Sequence, residues 1–222
     1  MSSLCAVTGA QAASVTLSGS FFDVTYDDAL TGLFGTPVLV GNTLSWAPSG
    51  SPGFTAQSYG EGIKVTNSTF ALTVTAKDNY LINGASLAEA GDYFFFGATS
   101  GVKVAGQLRG RSLDTAGAPI ITNSIAAGGF VGNADFDFTT SNWSGTALVA
   151  LDVASKSATF SIQNILAAYN SPNPEFFPTA AFIEKKNVDL AVAVTAVPEA
   201  DTYMMMLAGL GMIGLMAKRR MG

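Results

Sequence analysis

The side chains best suited to bind a metal ion lie between residues 133 and 137. Asn133, Asp135 and Asp137 alternate along the chain, so in a β-strand their oxygens would project from one face of a sheet. Calcium is bound by such oxygens, but it takes roughly six to eight of them. The pattern therefore indicates only a weak calcium candidate. It equally fits a solvated outer face with Phe136 and Phe138 pointing inward.

Residues for nucleophilic catalysis are scarce. The chain has no histidine and a single cysteine, Cys5, so Ser-His-Asp sites and zinc sites built from His and Cys are excluded. Residues Ser100 to Lys103 read S-x-x-K, but the K-T-G that accompanies this motif is absent. Pairs of Asp and Glu remain, as a glycosidase would need. The sequence leaves that alternative open without locating a pair, and it predicts no catalytic residue and no cofactor.

Aromatic side chains offer a second kind of chemistry, because exposed rings can stack on sugars. Trp46 and Trp143 lie near the ends of predicted strands and are the candidates for glycan contact, although both could equally fill the core. Phe94, Phe95 and Phe96 are consecutive, so their rings must alternate between the two faces of a strand. This run predicts burial on both faces or an exposed patch.

Strands must position these residues, because the dominant hydrophobic period is two. Thr, Val and Phe alternate with other residues in segments that Gly, Pro, Asn, Asp and Ser separate. The clearest segments are residues 14–21, 62–76 and 147–163, and further candidates include 135–139 and 188–197. Residues 84–90 and 162–168 compete as short helices, and 32–59 and 113–132 resemble long loops or irregular edges. The pattern predicts an all-β protein with an antiparallel β-sandwich or jelly-roll-like body over residues 13–196.

The end of the chain has three sections of different chemistry. Val197, Pro198 and Glu199 form a turn-like start, residues 203–217 are apolar without a charge, and a basic stop follows at Lys218, Arg219 and Arg220. A helix rises about 1.5 Å per residue, so the apolar section reaches about 22 Å against a hydrocarbon core of about 30 Å. These features predict one short transmembrane-type helix, with the basic residues in the cytoplasm and the body outside.

The order of Val-Pro-Glu, apolar helix and basic end resembles the PEP-CTERM sorting domain of Gram-negative bacteria. Ala200 stands where that motif usually has a proline, and the resemblance is confined to residues 197–222. It implies an exosortase-type processing enzyme as partner, transient anchoring in the inner membrane and a final location at the cell surface or outside the cell. Proteins with this tail are associated with exopolysaccharide and biofilm. A second Pro-Glu pair, Pro174 and Glu175, lacks the apolar and basic sections and is interpreted as a loop.

The amino terminus and the charge fit an exported chain. Ala10, Gln11 and Ala12 match the small-residue rule for signal-peptide cleavage, so residues 1–12 are interpreted as the remnant of a signal peptide, although the usual basic region is missing. The formal net charge is −5, and no basic stripe is present, which excludes nucleic-acid binding by electrostatics. The chain is thus divided into residues 1–12, 13–196 and 197–222.

Together these features predict an exported, non-enzymatic protein of the cell surface or extracellular matrix, with exopolysaccharide as a further partner. The alternative is an exported hydrolase that acts on polysaccharide with an Asp/Glu pair.

Overall fold

A computed structural model describes residues 13–48, 53–171, 179–197 and 200–221. The predictions for residues 1–12, Pro198 and Glu199 lie outside these ranges. Most of the described residues form strands, and two short 3-10 turns lie at Asp28–Leu30 and Gly32–Phe34. The strands are β1 (Ser14–Ser18), β2 (Phe22–Asp27), β3 (Val38–Val40), β4 (Thr43–Trp46), β5 (Thr55–Ser58), β6 (Ile63–Ala76), β7 (Tyr80–Phe96), β8 (Gly101–Ser112), β9 (Ile121–Ser124), β10 (Ala126–Ala127), β11 (Ser141–Ser155), β12 (Ser157–Tyr169) and β13 (Ala180–Ala196), followed by helix α1 (Ala200–Met221).

The period of two determines which face of each strand is buried. In β12 every second residue from Ala158 to Ala168 is buried, and those between are half-buried. The two segments that competed as helices, 84–90 and 162–168, lie inside β7 and β12. Each of these strands pairs along both of its edges, and this tertiary pairing outweighs the local preference of a few residues.

The strands form two antiparallel sheets. Sheet A has the order β1-β2-β6-β12-β8-β9, and sheet B has the order β10-β11-β7-β13-β4-β3, with β5 also paired to β13. The long strands alternate between them, with β6, β8 and β12 in sheet A and β7, β11 and β13 in sheet B. The predicted antiparallel β body is confirmed, while its jelly-roll-like connection stays a prediction.

One hydrophobic core joins the two sheets. It takes Phe70 and Phe160 from sheet A and Trp46 and Leu190 from sheet B. The Trp46 and Phe70 rings meet edge to face with their centroids 5.0 Å apart, a favourable arrangement for aromatic pairs. The side of each sheet that faces this core is called its inner face here, and the opposite side its outer face.

The crossing from β11 to β12 is made by Lys156 alone. The carboxylate of Asp114 accepts hydrogen bonds from the backbone N–H groups of Lys156 and Ser157, at 2.5 and 3.0 Å. Such bonds to an ionised acceptor are stronger than neutral ones. Asp114 thus stabilises the corner at which the chain changes sheets.

Two segments that were expected to be long loops or irregular edges contain short strands. Residues 32–59 contain β3, β4 and β5, and residues 113–132 contain β9 and β10. Of these, β3, β9 and β10 are edge strands. These strands are two to four residues long, too short to show a clear period of two.

The single helix after the body was expected to be of the transmembrane type. In the described part of the chain, no helix is long and apolar enough to cross a membrane. The apolar section lies between Asp201 and Lys218, and at about 1.5 Å per residue it falls short of a hydrocarbon core of about 30 Å. The helix itself is confirmed and its transmembrane character is not.

Candidate functional site

The predicted calcium residues lie in a loop instead of a strand. Residues 131–140 contain a turn, and Phe136 adopts a left-handed backbone with φ of 63°. The Asn133 amide donates to the backbone oxygens of Asp137 and Thr139, at 3.0 and 2.7 Å. Hydrogen bonds from the Thr139 side chain and backbone lower the pKa of Asp137. The three side chains therefore do not share a sheet face, and the described residues contain no group of three His, Cys, Asp or Glu side chains able to hold a metal ion.

This loop covers the outer face of sheet B with aromatic rings. Phe136 and Phe138 are largely exposed, so the expectation that they point into the core is wrong. Phe138 packs edge to face on Phe96 and Phe94, with centroids 4.9 and 5.4 Å apart. Phe94 and Phe96 are buried on this outer face, whereas Phe95 packs against the main core. Burial on both faces, predicted for the Phe run, is confirmed.

The two tryptophans occupy different surroundings. Trp46 is 1% exposed and is enclosed by core aromatics, so neither face of its ring is available to a sugar. Trp143 is 5% exposed, and its indole N–H donates to the backbone oxygen of Glu184 at 2.9 Å. It also lines a surface depression of about 400 Å³ together with Asp92 and Lys186. A glycan contact at Trp143 stays a prediction, whereas Trp46 is a core residue.

Three polar residues meet inside the core near Trp143. Glu89 on β7, Lys185 on β13 and Asn164 on β12 are each at most 2% exposed. The Lys185 ammonium pairs with one oxygen of the Glu89 carboxylate. The other oxygen accepts a 2.5 Å hydrogen bond from the Asn164 amide. One carboxylate therefore bridges an amine from sheet B and an amide from sheet A.

The outer face of sheet A carries a groove of about 550 Å³. Its floor contains rows of side chains that run across the strands, at a spacing of about 4.8 Å from one strand to the next. One row is Thr16, Thr25, Thr73, Thr159 and Arg111. Beside it, Ala71, Ser161 and Arg109 form a second row, and Ser14 pairs with Asp27 on the two strands at the other end of the groove. Two guanidinium groups thus lie at one end of a surface of hydroxyl groups.

With the Gln107 amide oriented to satisfy both of its polar atoms, Arg109 donates from Nη2 and Nε to the Gln107 oxygen, at 2.5 and 3.3 Å. Arg111 in the same groove has unused hydrogen-bonding capacity. Within the described ranges neither Arg109 nor Arg111 forms an ion pair, and the buried Nε of Arg111 has no hydrogen-bond partner. Asp27 is the acidic residue of the lining, and it lies three strands away, at about 14 Å. Its carboxylate accepts a hydrogen bond from the N–H of Ala29 at 3.0 Å. The arginine end of the groove is therefore open to an anion.

The boundary between the β-sheet body and the tail lies just after Val197, the last residue for which a backbone hydrogen bond to the body is described. The N–H of Val197 donates to the backbone oxygen of Asn79 at 2.8 Å, and α1 starts three residues later at Ala200. The described apolar side chains of α1 do not form a buried stripe. More than half of the surface is exposed in Met204, Met205, Met206, Leu207, Leu210, Met212, Ile213 and Met216. Arg219 is also exposed, and nothing is described for the side chains of Lys218 and Arg220.

A comparison with protein families decides the nature of this tail. Residues 196–220 match the model of the PEP-CTERM protein-sorting motif. The tail is a PEP-CTERM sorting motif. It contains Val197, Pro198, Glu199 and the basic stop, and it implies an exported protein that an exosortase processes. No curated protein and no solved structure matched the chain.

Sequence reasoning found the PEP-CTERM motif but missed both clusters in the body. Glu89, Asn164 and Lys185 fall in the apolar register of their strands, as the neighbours Leu87, Ile162 and Ile183 show by their burial. That signal is readable in the sequence. Arg109 and Arg111 alternate on β8. The alignment of Arg111 with threonines of other strands depends on pairing between strands that are distant in the sequence, and a local sequence pattern does not predict such pairing.

Proposed function

We propose that the chain is an exported, non-enzymatic protein of the cell surface or extracellular matrix that binds an acidic exopolysaccharide along the groove of sheet A. The sorting motif at residues 196–220 is the observation that carries the first part of this proposal. Its exposed apolar helix makes transient contact with the inner membrane before an exosortase removes it. The body is then released to the surface or the matrix of a Gram-negative cell.

The groove supplies the chemistry for the second part. Arg109 and Arg111 are two residues apart on β8, so their side chains leave the sheet on the same side, from Cα atoms about 7 Å apart. A guanidinium binds a carboxylate through two parallel hydrogen bonds. The serine and threonine hydroxyls of the two rows can donate to and accept from sugar hydroxyls. A polymer that carries both carboxylates and hydroxyls, such as a polyuronate, complements this surface.

The hydrolase alternative finds less support in the described residues. A glycosidase needs two carboxylates flanking one bond. The groove contains the single acidic residue Asp27, and Glu89 is buried against Lys185. We therefore propose binding without turnover.

Binding of the full-length chain to immobilised polygalacturonate tests this function, with neutral dextran as the reference polymer. Changing Arg109 and Arg111 together to Ala should reduce binding at least tenfold, and added salt should weaken wild-type binding because the contacts are exposed charges. Lys103→Ala is the matched control, because Lys103 is an exposed basic residue on the outer side of the same strand, β8. Equal losses in the control and the double variant would show that the groove is not the site. Cleavage of the polymer would favour the hydrolase.

A further inference from the structure

A lysine, an asparagine and a glutamate are enclosed together in the core. Lys185 and Glu89 are on adjacent strands of sheet B, with Lys185 opposite Gly91 and Glu89 two residues before Gly91 on β7. Asn164 reaches the same carboxylate from β12 of sheet A. Its position is 21 residues before Lys185 in the chain. The side chains of these three residues therefore link sheet A to sheet B across the core.

The surroundings of Lys185 make its charged form less stable than it is in water. The Lys185 Nζ lies 5.3 Å from the centre of the Trp143 ring and 5.5 Å from that of Phe54, and its side chain is completely buried. Burial lowers the pKa of Lys185 to about 8, although Glu89 offsets part of this effect. The Glu89 carboxylate contacts the ammonium and is the group that can accept its proton. A neutral amine is a nucleophile.

The Asn164 amide is placed to accept that nucleophile. Its Nδ2 donates to Glu89, while its buried Oδ1 has no hydrogen-bond partner. An unsatisfied amide oxygen in a core costs free energy. The amine and the amide nitrogen bind the two oxygens of the same carboxylate, so the acid that must move protons between them contacts both.

We propose that Lys185 and Asn164 join in an amide cross-link between the two sheets, with Glu89 transferring the protons. Glu89 first takes a proton from the Lys185 ammonium. The free Nζ attacks Cγ of Asn164, so the Nζ–Cγ bond forms and the carbonyl electron pair moves onto Oδ1. A second proton passes from Nζ through Glu89 to Nδ2. The carbonyl then re-forms, the Cγ–Nδ2 bond breaks, and one molecule of ammonia leaves.

The atoms and charges balance without a further reactant. An ammonium, a carboxylate and a primary amide become a secondary amide, a carboxylic acid and ammonia. No electron is gained or lost, so no oxidant, reductant or cofactor is required. The product replaces a buried charged pair by neutral groups, which removes the cost of keeping two ions out of water. This modification is independent of any ligand in the groove.

Peptide mapping of the full-length chain tests the proposal directly. Trypsin cleaves after lysine, and residues 157–185 contain both Asn164 and Lys185 with no basic residue between them. An unmodified chain yields the linear peptide 157–185. The cross-linked chain resists cleavage at Lys185 and yields 157–186, lighter by one ammonia, with no backbone fragment ions from between the two joined residues. Recovery of only linear, unmodified peptide from the folded wild-type chain would overturn the proposal.

Two variants assign the roles. Asn164→Ala removes the acceptor and Glu89→Gln removes the proton carrier, so both should yield the linear peptide alone. The cross-linked peptide in Glu89→Gln would show that Glu89 does not transfer the protons. Because a change in the core can also prevent folding, circular dichroism of each variant accompanies the map. If a variant does not fold, the wild-type map still decides whether the bond exists.

Discussion

The protonation of Lys185 makes the stability of the folded chain depend on pH. Its pKa lies at about 8 in the folded chain, lowered from 10.5 by burial. Below pH 8 both the folded and unfolded chains carry the proton. Between pH 8 and 10.5 the unfolded chain keeps the proton that the folded chain has lost. Stability therefore rises with pH across this window, because the unfolded state binds more protons.

This dependence should be visible only while the amine is free. In Asn164→Ala, we expect the free energy of unfolding to rise between pH 8 and 9.5 by up to about 1.4 kcal/mol per pH unit. Urea unfolding at pH 7, 8, 9 and 9.5 measures it. Adding Lys185→Met and Glu89→Gln to that variant removes both charged groups and serves as the control. Equal slopes in the two variants would contradict the prediction.

Individual residues were predictable to the extent that strand register shows in the sequence. Glu89, Asn164 and Lys185 break the apolar alternation of their strands, so a search for charged or amide residues in that register would have found each of them. The contacts among these three side chains could not be predicted, because they depend on which strands pair within sheet B and which strand of sheet A faces them across the core. The location of Trp46 could not be predicted in this way, because a tryptophan near a strand end is compatible with a sugar-binding site and with the core.

At the scale of elements, Gly91 of β7 pairs with Trp143 of β11 on one side and with Lys185 of β13 on the other. A Cβ at Gly91 would overlap the backbone oxygen of Glu184 and lie 2.8 Å from Nε1 of Trp143. Gly91→Ala should therefore force β13 and the indole apart and lower the free energy of unfolding by about 1–3 kcal/mol. Chemical denaturation of the full-length chain measures the change.

Gly128 provides the matched control for this substitution. A Cβ there meets nothing within 4 Å, and its φ is not positive. Gly128→Ala should change stability by less than about 0.5 kcal/mol. A loss in Gly128→Ala as large as in Gly91→Ala would show that the close approach of strands is not the cause.

Elements were predictable where the strands are long. β6 shows its period of two over many residues and was expected from it. The run expected at 147–163 instead contains the end of β11, the crossing at Lys156 and the start of β12. The predicted strand at 135–139 was wrong, because alternating Asp and Phe can also arise in a loop that lays two phenylalanines over an outer face. The helix-like segment 84–90 became part of β7 because partners on both sides satisfy its backbone, and those partners are distant in the sequence.

At the scale of the whole molecule, the sorting motif determines the fate of the chain. Changing Pro198 and Glu199 to Ala should leave the tail attached in a host that contains an exosortase, because the processing enzyme no longer recognises it. Cell fractionation and the mass of the product measure this, beside a strain without the enzyme. The second pair, Pro174 and Glu175, is the control, and its change to Ala should leave processing intact. Normal processing of the Pro198 and Glu199 variant would contradict the role of the motif.

The position of β13 also sets an order of events during export. β13 lies in the middle of sheet B, with β7 on one side and β4 and β5 on the other, although it is the last strand in the chain. When the amino terminus leaves the cell first, both neighbouring edges stay bare until residue 196 has emerged. Bare edges invite pairing between molecules. If the tail holds the chain at the membrane at that stage, as we propose, it keeps neighbouring molecules apart while the last strand closes the sheet.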